Sequence, residues 1–138
     1  MQIALANPSQ FQRVKEFFYN NLSDQQDAIY SNEFLCPLGI NAAIRRNQMI
    51  VATVHGDIVG ALRFYRKKTQ NIISLYQFAI RVDYRGYNLL EEMLSVLSDS
   101  PIVSMCPVHS QFNQYYLKAG WQLHEQKKQF NAWMYHHK

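Results

Sequence analysis

Tyr84-Arg85-Gly86-Tyr87-Asn88-Leu89-Leu90-Glu91-Glu92-Met93-Leu94 decides how the rest of this chain is read. It begins where a long β-type run, Ile72–Val82, gives out, and it passes through Arg85-Gly86 into a helical pattern. Leu89, Leu90, Met93, Leu94 and Leu97 gather on one side of that helix, which gives it an apolar inner face. Pro101 follows the helix, and Ile102–Cys106 reads as a short buried strand. The stretch therefore sits inside a β-α-β unit. With further strands on both sides, such a unit indicates a mixed sheet covered by helices.

Toward the amino terminus, Met49–Val54 is rich in β-branched residues, His55-Gly56-Asp57 supplies turn chemistry, and Ile58–Tyr65 resumes the strand pattern. This predicts a β-hairpin from Met49 to Tyr65, with Lys67–Asn71 as the polar turn after it. Met1–Ala6 suits a first strand, and Asn7-Pro8 reads as an N-cap followed by proline at the first helical position. Phe11, Val14, Phe17, Phe18 and Leu22 then recur at helical spacing. Ser23–Pro37 has no clear period and reads as loop with a short helical piece; Leu38–Arg46 holds a second helix facing inward through Ile40, Ala43 and Ile44. Toward the carboxyl end, Phe112–Ala119 reads as a helix stopped by Gly120, a residue suited to a left-handed cap. Trp121–Glu125 and Gln129–Tyr135 close the chain as two strands. The predicted order is β-α-(α)-β-β-β-α-β-α-β-β, with no linker and no repeat, so residues 1–138 are expected to form a single domain.

The 138 residues are enough for one core without staples, and 48% apolar against 17% charged argues against disorder. The longest apolar runs, Ile50–Val54 and Ile58–Leu62, are too short to cross a bilayer, and Met1-Gln2-Ile3-Ala4-Leu5 does not read as a secretory signal. Cys36 and Cys106 lack C-x-x-C spacing, which points to a reduced, cytoplasmic protein. The formal charge of +4 is carried by scattered residues, among them Arg45-Arg46, Arg66-Lys67-Lys68 and Lys127-Lys128. A solvated surface accounts for it; a nucleic-acid face and a small anionic ligand are the alternatives that composition leaves open.

Two separated segments narrow the reading. Tyr84–Leu94 resembles the cofactor loop of the GNAT superfamily of N-acetyltransferases, an Arg/Gln-x-x-Gly-x-Gly/Ala pattern that ends a strand and opens a helix. Tyr115-Tyr116-Leu117-Lys118-Ala119-Gly120-Trp121 resembles the Phe-Tyr-x-x-x-Gly-Phe signature near the carboxyl end of the same superfamily. Their order, the one short strand between the two helices, the hairpin before and the paired strands after all fit, so the resemblance covers nearly the whole chain. It implies a GNAT-like α/β fold, a mixed and mostly antiparallel sheet flanked by helices around a β-α-β cofactor core. It also implies direct transfer of an acetyl group from acetyl-coenzyme A to a primary amine.

The resemblance assigns the cofactor to Phe78, Ala79 and Ile80, whose backbone would lie along the pantetheine arm, and to Arg85, Gly86, Tyr87, Asn88, Leu89 and Leu90. A loop feeding a helix start points backbone N–H groups outward, which suits a pyrophosphate. Tyr116 matches the tyrosine that protonates the departing thiolate, and a phenol with an ordinary pKa near 10 is protonated at neutral pH. Its rival reading is core packing, since Phe112, Tyr115 and Tyr116 also suit an ordinary amphipathic helix.

Several positions depart from the pattern. Asn88 replaces a glycine, and asparagine is the best tolerated substitute where a chain turns left-handed. Leu90 replaces a glycine or alanine; its side chain either crowds the ligand or turns into the core beside Leu94. His109 stands where an asparagine is common and reads as an exposed loop histidine rather than a proton relay. Cys106 reads as a buried structural thiol. Ile72–Val82 carries no acidic residue, so a strand-borne general base is missing, and Gln77 cannot replace it. His136 and His137 would point to opposite faces of a strand, and no metal is expected.

Partners implied are a small-molecule or peptide amine, with acceptor residues drawn from Ser23–Arg46, where Asp24, Asp27 and Glu33 could attract it. Neither a membrane nor nucleic acid is expected, and a homodimer through the last two strands is left open. The second functional reading is a catalytically weak or inactive GNAT-fold module acting as an acyl-coenzyme A sensor or a protein-binding regulator.

Overall fold

A computed structural model describes residues 1–22 and 36–137. Its elements are β1 (Gln2–Leu5), a 3-10 turn at Pro8–Gln10, α1 (Phe11–Leu22), α2 (Pro37–Arg45), β2 (Met49–Val54), β3 (Asp57–Arg66) and β4 (Ile73–Ile80), then α3 (Leu89–Leu94), β5 (Ile102–Pro107), α4 (Phe112–Lys118), β6 (Gln122–Gln126) and β7 (Phe130–Tyr135). The seven strands run in the order β1-β2-β3-β4-β5-β7-β6, a mixed, mostly antiparallel sheet in which β4 and β5 are parallel. The expected element order is found. The loop predicted over Ser23–Pro37 falls almost wholly outside the described residues, as do Asp24, Asp27 and Glu33; its last residue, Pro37, opens α2 at the position where a missing N–H costs nothing.

The chain divides into two compact units. The first comprises Met1–Arg63 with Gln77–Leu97. Here Asn7 accepts from the Ser9 amide at 3.1 Å while Gln10 Oε1 accepts from the Asn7 amide at 3.0 Å, a reciprocal cap that sets the start of the first helical segment. Val14, Phe17 and Phe18 of α1 and Ile40, Ala43 and Ile44 of α2 form one cluster with Met49 and Val51 of β2 and Ile58 and Ala61 of β3. The opposite face takes α3. A Cβ added to Gly60 of β3 would lie 3.0 Å from Met93 Sδ and 3.2 Å from Leu89 Cδ2, so the glycine lets this helix settle on the strand. Covered on both faces, Met49–Ala52 is buried at every residue instead of alternating. The β2–β3 hairpin turns at His55 and Gly56, with φ of 51° and 83°, the positive pair that a type I′ turn requires.

The second unit comprises Phe64–Tyr76 with Ser98–Lys138. β5 pairs in parallel with β4 over Ile73–Leu75 and antiparallel with β7, where Ser104 stands opposite Trp133 and Cys106 opposite Asn131. On the other face Val103, Ala132 and Met134 pack together with Ile72. α4 ends as predicted at Gly120, whose φ is 87°. The Gly120 amide donates to the Leu117 carbonyl at 3.3 Å and the Trp121 amide to the Tyr116 carbonyl at 3.0 Å. Those two bonds define a Schellman end.

Candidate functional site

The candidate cofactor loop lies in the first unit. β4 ends at Ile80, and Val82–Tyr84 makes one 3-10 turn. Arg81 grips Asp83 through two contacts of 2.7 and 3.0 Å, and its guanidinium lies 5.3 Å from the centre of the Tyr84 ring. The hydrogen bonds and charge of Arg81 hold the Asp83 carboxyl below its usual range. Arg85 folds back, its Nε donating to the Ile80 carbonyl at 2.8 Å. The chain then reverses through Gly86 (φ 86°) and Asn88 (φ 61°), two left-handed positions separated by Tyr87, which is 72% exposed.

Asn88 thus occupies the conformation that its glycine counterpart would favour, and it makes no side-chain cap on α3. Leu90, 2% exposed, turns into the core with Leu89, Met93 and Leu94. Of its two alternatives the structure has the second, and whatever this turn offers a ligand at residues 89 and 90 is backbone. Of the strand residues, Ala79 is buried while Phe78 and Ile80 are half-buried.

Two further features of this region carry no motif in the sequence. Glu91 and Glu92 lie in the first turn of α3, where their charge opposes an anion. A cavity of about 350 Å³ beside the loop is lined by Met1, Asp83, Tyr84, Tyr87, Leu89 and Glu92, again with two carboxylates.

Tyr116 belongs to the second unit. It is 4% exposed and stands among three rings: Tyr115 at 5.5 Å and Trp121 at 4.9 Å, both edge-on, and Trp133 stacked at 5.9 Å. Its hydroxyl is 2.8 Å from Ser104 Oγ. Burial pushes the phenol's pKa well above its ordinary value, outweighing the opposing effect of the Ser104 hydrogen bond, so the group holds its proton across the physiological range. The Schellman end explains the spacing of Tyr116, Gly120 and Trp121: it sets Trp121 one position beyond the glycine and brings its ring onto Tyr116, the apolar contact that accompanies such helix ends. Ser104 carries no motif of its own and becomes visible only through the β5–β7 register.

The remaining candidates are dispersed. His109 is exposed, and Cys106 is buried. His137 makes a 2.8 Å hydrogen bond with the Ser100 carbonyl, while His136 is exposed. Among the described residues no three His, Cys, Asp or Glu side chains are grouped to hold a metal, and no helix is long and apolar enough to cross a membrane.

No family model matches the sequence, and no curated protein matches it significantly. The fold is another matter. The PaiA N-acetyltransferase of Thermoplasma acidophilum, solved with coenzyme A, is similar with a TM-score of 0.77 over 99% of this chain and 98% of its own, at 11% identity. A GNAT-family acetyltransferase of Listeria monocytogenes gives 0.75 over 97% and 93%, at 16% identity. The diaminobutyrate acetyltransferase of Paenibacillus lautus, solved with its amine substrate and coenzyme A, gives 0.68 over 96% and 92%, at 14% identity. The chain has the fold of the GNAT acetyltransferases.

Proposed function

We propose that residues 1–138 form one acetyl-coenzyme A-dependent N-acetyltransferase domain that moves an acetyl group to a primary amine by direct transfer. The observation that carries this reading is the loop at the end of β4. Its turn is left-handed at both Gly86 and Asn88, within a fold shared over nearly the full length with acetyltransferases, two of them solved with coenzyme A. A Cβ at Gly86 would meet nothing within 4 Å, so the backbone is open to a ligand there, and Leu90 is withdrawn into the core. The residues fit the cosubstrate.

Bound acetyl-coenzyme A supplies the thioester whose acyl group is transferred. The backbone of Phe78, Ala79 and Ile80 would run along its pantetheine arm. Arg85, by bonding the Ile80 carbonyl, holds the turn in which Gly86, Tyr87, Asn88, Leu89 and Leu90 offer amides to the pyrophosphate. Tyr116 keeps its proton at neutral pH and is the acid for the leaving thiolate, with Ser104 orienting its hydroxyl. No carboxylate stands on β4, so the amine proton leaves through water. A cytoplasmic setting belongs to the same reading, neither Cys36 nor Cys106 being joined in a disulfide among the described residues.

The test is calorimetric titration with acetyl-coenzyme A and with coenzyme A. Micromolar binding is expected, followed by coenzyme A release in a screen of primary amines. Binding weaker than about millimolar, roughly −4 kcal/mol, overturns the proposal.

A second reading keeps the fold without the chemistry: a weak or inactive module that senses acyl-coenzyme A or regulates a partner protein. The burial of the Tyr116 hydroxyl against Ser104 favours it, as do the carboxylates of Glu91 and Glu92. Tight binding with no turnover over the whole amine screen would select it.

A further inference from the structure

Asn113, in the first turn of α4, gathers more polar contacts than its place in the sequence suggests. Its Nδ2 donates to the carbonyls of Pro107 and Ser110, each at 2.9 Å, and of Val108 at 3.3 Å. Its Oδ1 accepts from Trp133 Nε1 at 2.9 Å and from Asn131 Nδ2 at 3.0 Å. One side chain therefore ties the loop after β5 to α4 and both to β7. An alanine could make none of these bonds. An aspartate could accept from Trp133 and Asn131, but it would turn a negative charge toward three carbonyl oxygens.

Trp133 carries the effect onward. Its ring stacks on Tyr116 with planes 20° apart, and the register sets it opposite Ser104, whose Oγ meets the Tyr116 hydroxyl. Tyr116 thus lies between a ring whose indole hydrogen Asn113 receives and a serine presented by the same strand pair. We propose that Asn113 is a positioning residue for Tyr116: by accepting the Trp133 indole hydrogen and holding the carbonyls of Pro107, Val108 and Ser110, it fixes the ring plane and helix start that aim the phenol hydroxyl. Its meaning for catalysis rests on Tyr116 being the acid; the positioning itself does not.

The test is hydrogen exchange at two side-chain protons, Trp133 Hε1 and the Tyr116 hydroxyl, followed by NMR in the full chain without cosubstrate. The indole of Trp121, buried and without an acceptor among the described residues, is the internal control. In Asn113→Ala both test protons should exchange about tenfold faster, the factor that goes with one lost buried hydrogen bond, while Trp121 stays within about twofold. Faster exchange at Trp133 with no change at Tyr116 overturns the proposal. Should that variant unfold, or all three protons accelerate together, Trp133→Phe decides, because it keeps a stacking ring and removes the donated bond together with the indole's second ring. There the Tyr116 hydroxyl must again exchange faster, and wild-type protection overturns the proposal. With an acceptor amine in hand, Asn113→Ala should lower kcat about tenfold and leave KM for acetyl-coenzyme A within about twofold; an unchanged kcat refutes the catalytic part. A chain that binds no acetyl-coenzyme A removes the acid role alone, since the exchange result is read without it.

Discussion

Replacing Tyr116 with phenylalanine keeps the ring among Tyr115, Trp121 and Trp133 and removes one oxygen, the one 2.8 Å from Ser104 Oγ. Both hydroxyls are in buried residues, with Tyr116 and Ser104 each 4% exposed, so deleting either partner leaves the other facing apolar surroundings. A lost buried hydrogen bond plus partial desolvation of the orphan costs about 1–2 kcal/mol. With an unfolding entropy of about 2.1 cal/mol/K per residue, that lowers the Tm of this chain by about 3–7 °C. Ser104→Ala should cost a similar amount. The double variant, which removes both polar groups at once, should cost clearly less than the sum, leaving a coupling of about 1–2 kcal/mol. Thermal unfolding followed by circular dichroism measures all four proteins. Additive losses would refute the pairing, and with it the idea that Ser104 orients the phenol. In the same preparations Tyr116→Phe should bind acetyl-coenzyme A as the wild type does and turn over more slowly; full turnover would remove Tyr116 from the chemistry.

The raised pKa of Tyr116 gives a pH dependence with a definite sign. Its folded pKa lies above the ordinary value of 10.0, so the stability it contributes is full below that pH and declines as pH rises from there toward the folded value. Denaturant titrations should therefore show the gap between wild type and Tyr116→Phe narrowing above about pH 10, where the unfolded phenol begins to ionise; a widening gap would contradict the assignment. Gly60→Ala places a Cβ within 3.0 Å of Met93 Sδ and 3.3 Å of Ile80 Cδ1. Urea unfolding should show a loss of about 1–3 kcal/mol from overpacking. Gly120→Ala meets no neighbour but must hold a φ of 87°. It should lose about 1–2 kcal/mol through backbone strain alone, and an equal or greater stability would contradict the helix end described here.

Where the chain's own neighbours decide a conformation, the sequence reads true. Asn7-Pro8 caps a helical start, His55-Gly56 turns a hairpin, and Gly120 ends a helix, all through contacts within about four residues. The apolar faces of α1, α2 and α3 follow from helical period for the same reason. Asn88 was legible as a left-handed position because asparagine tolerates that region.

Tertiary structure decided what depends on partners distant in the chain. Leu90 had two places to go, and the packing of α3 on β3 at Gly60 settled it in the core. Arg85, a motif residue that the resemblance assigns to the cofactor, donates its Nε to the Ile80 carbonyl, a bond no local pattern announces. The setting of Tyr116 needed Ser104 twelve residues before it and Trp133 on another strand, neighbours that only the register of β5 on β7 brings together. Asn113 carries no motif for the same reason, its partners on β7 being eighteen and twenty residues away. The sequence by itself determined the elements and their order, because helical period, turn chemistry and caps are short-range preferences written in adjacent residues. The chemistry of each candidate group was decided by the fold, because burial, hydrogen-bond partner and pKa depend on what strand register and helix packing bring against it.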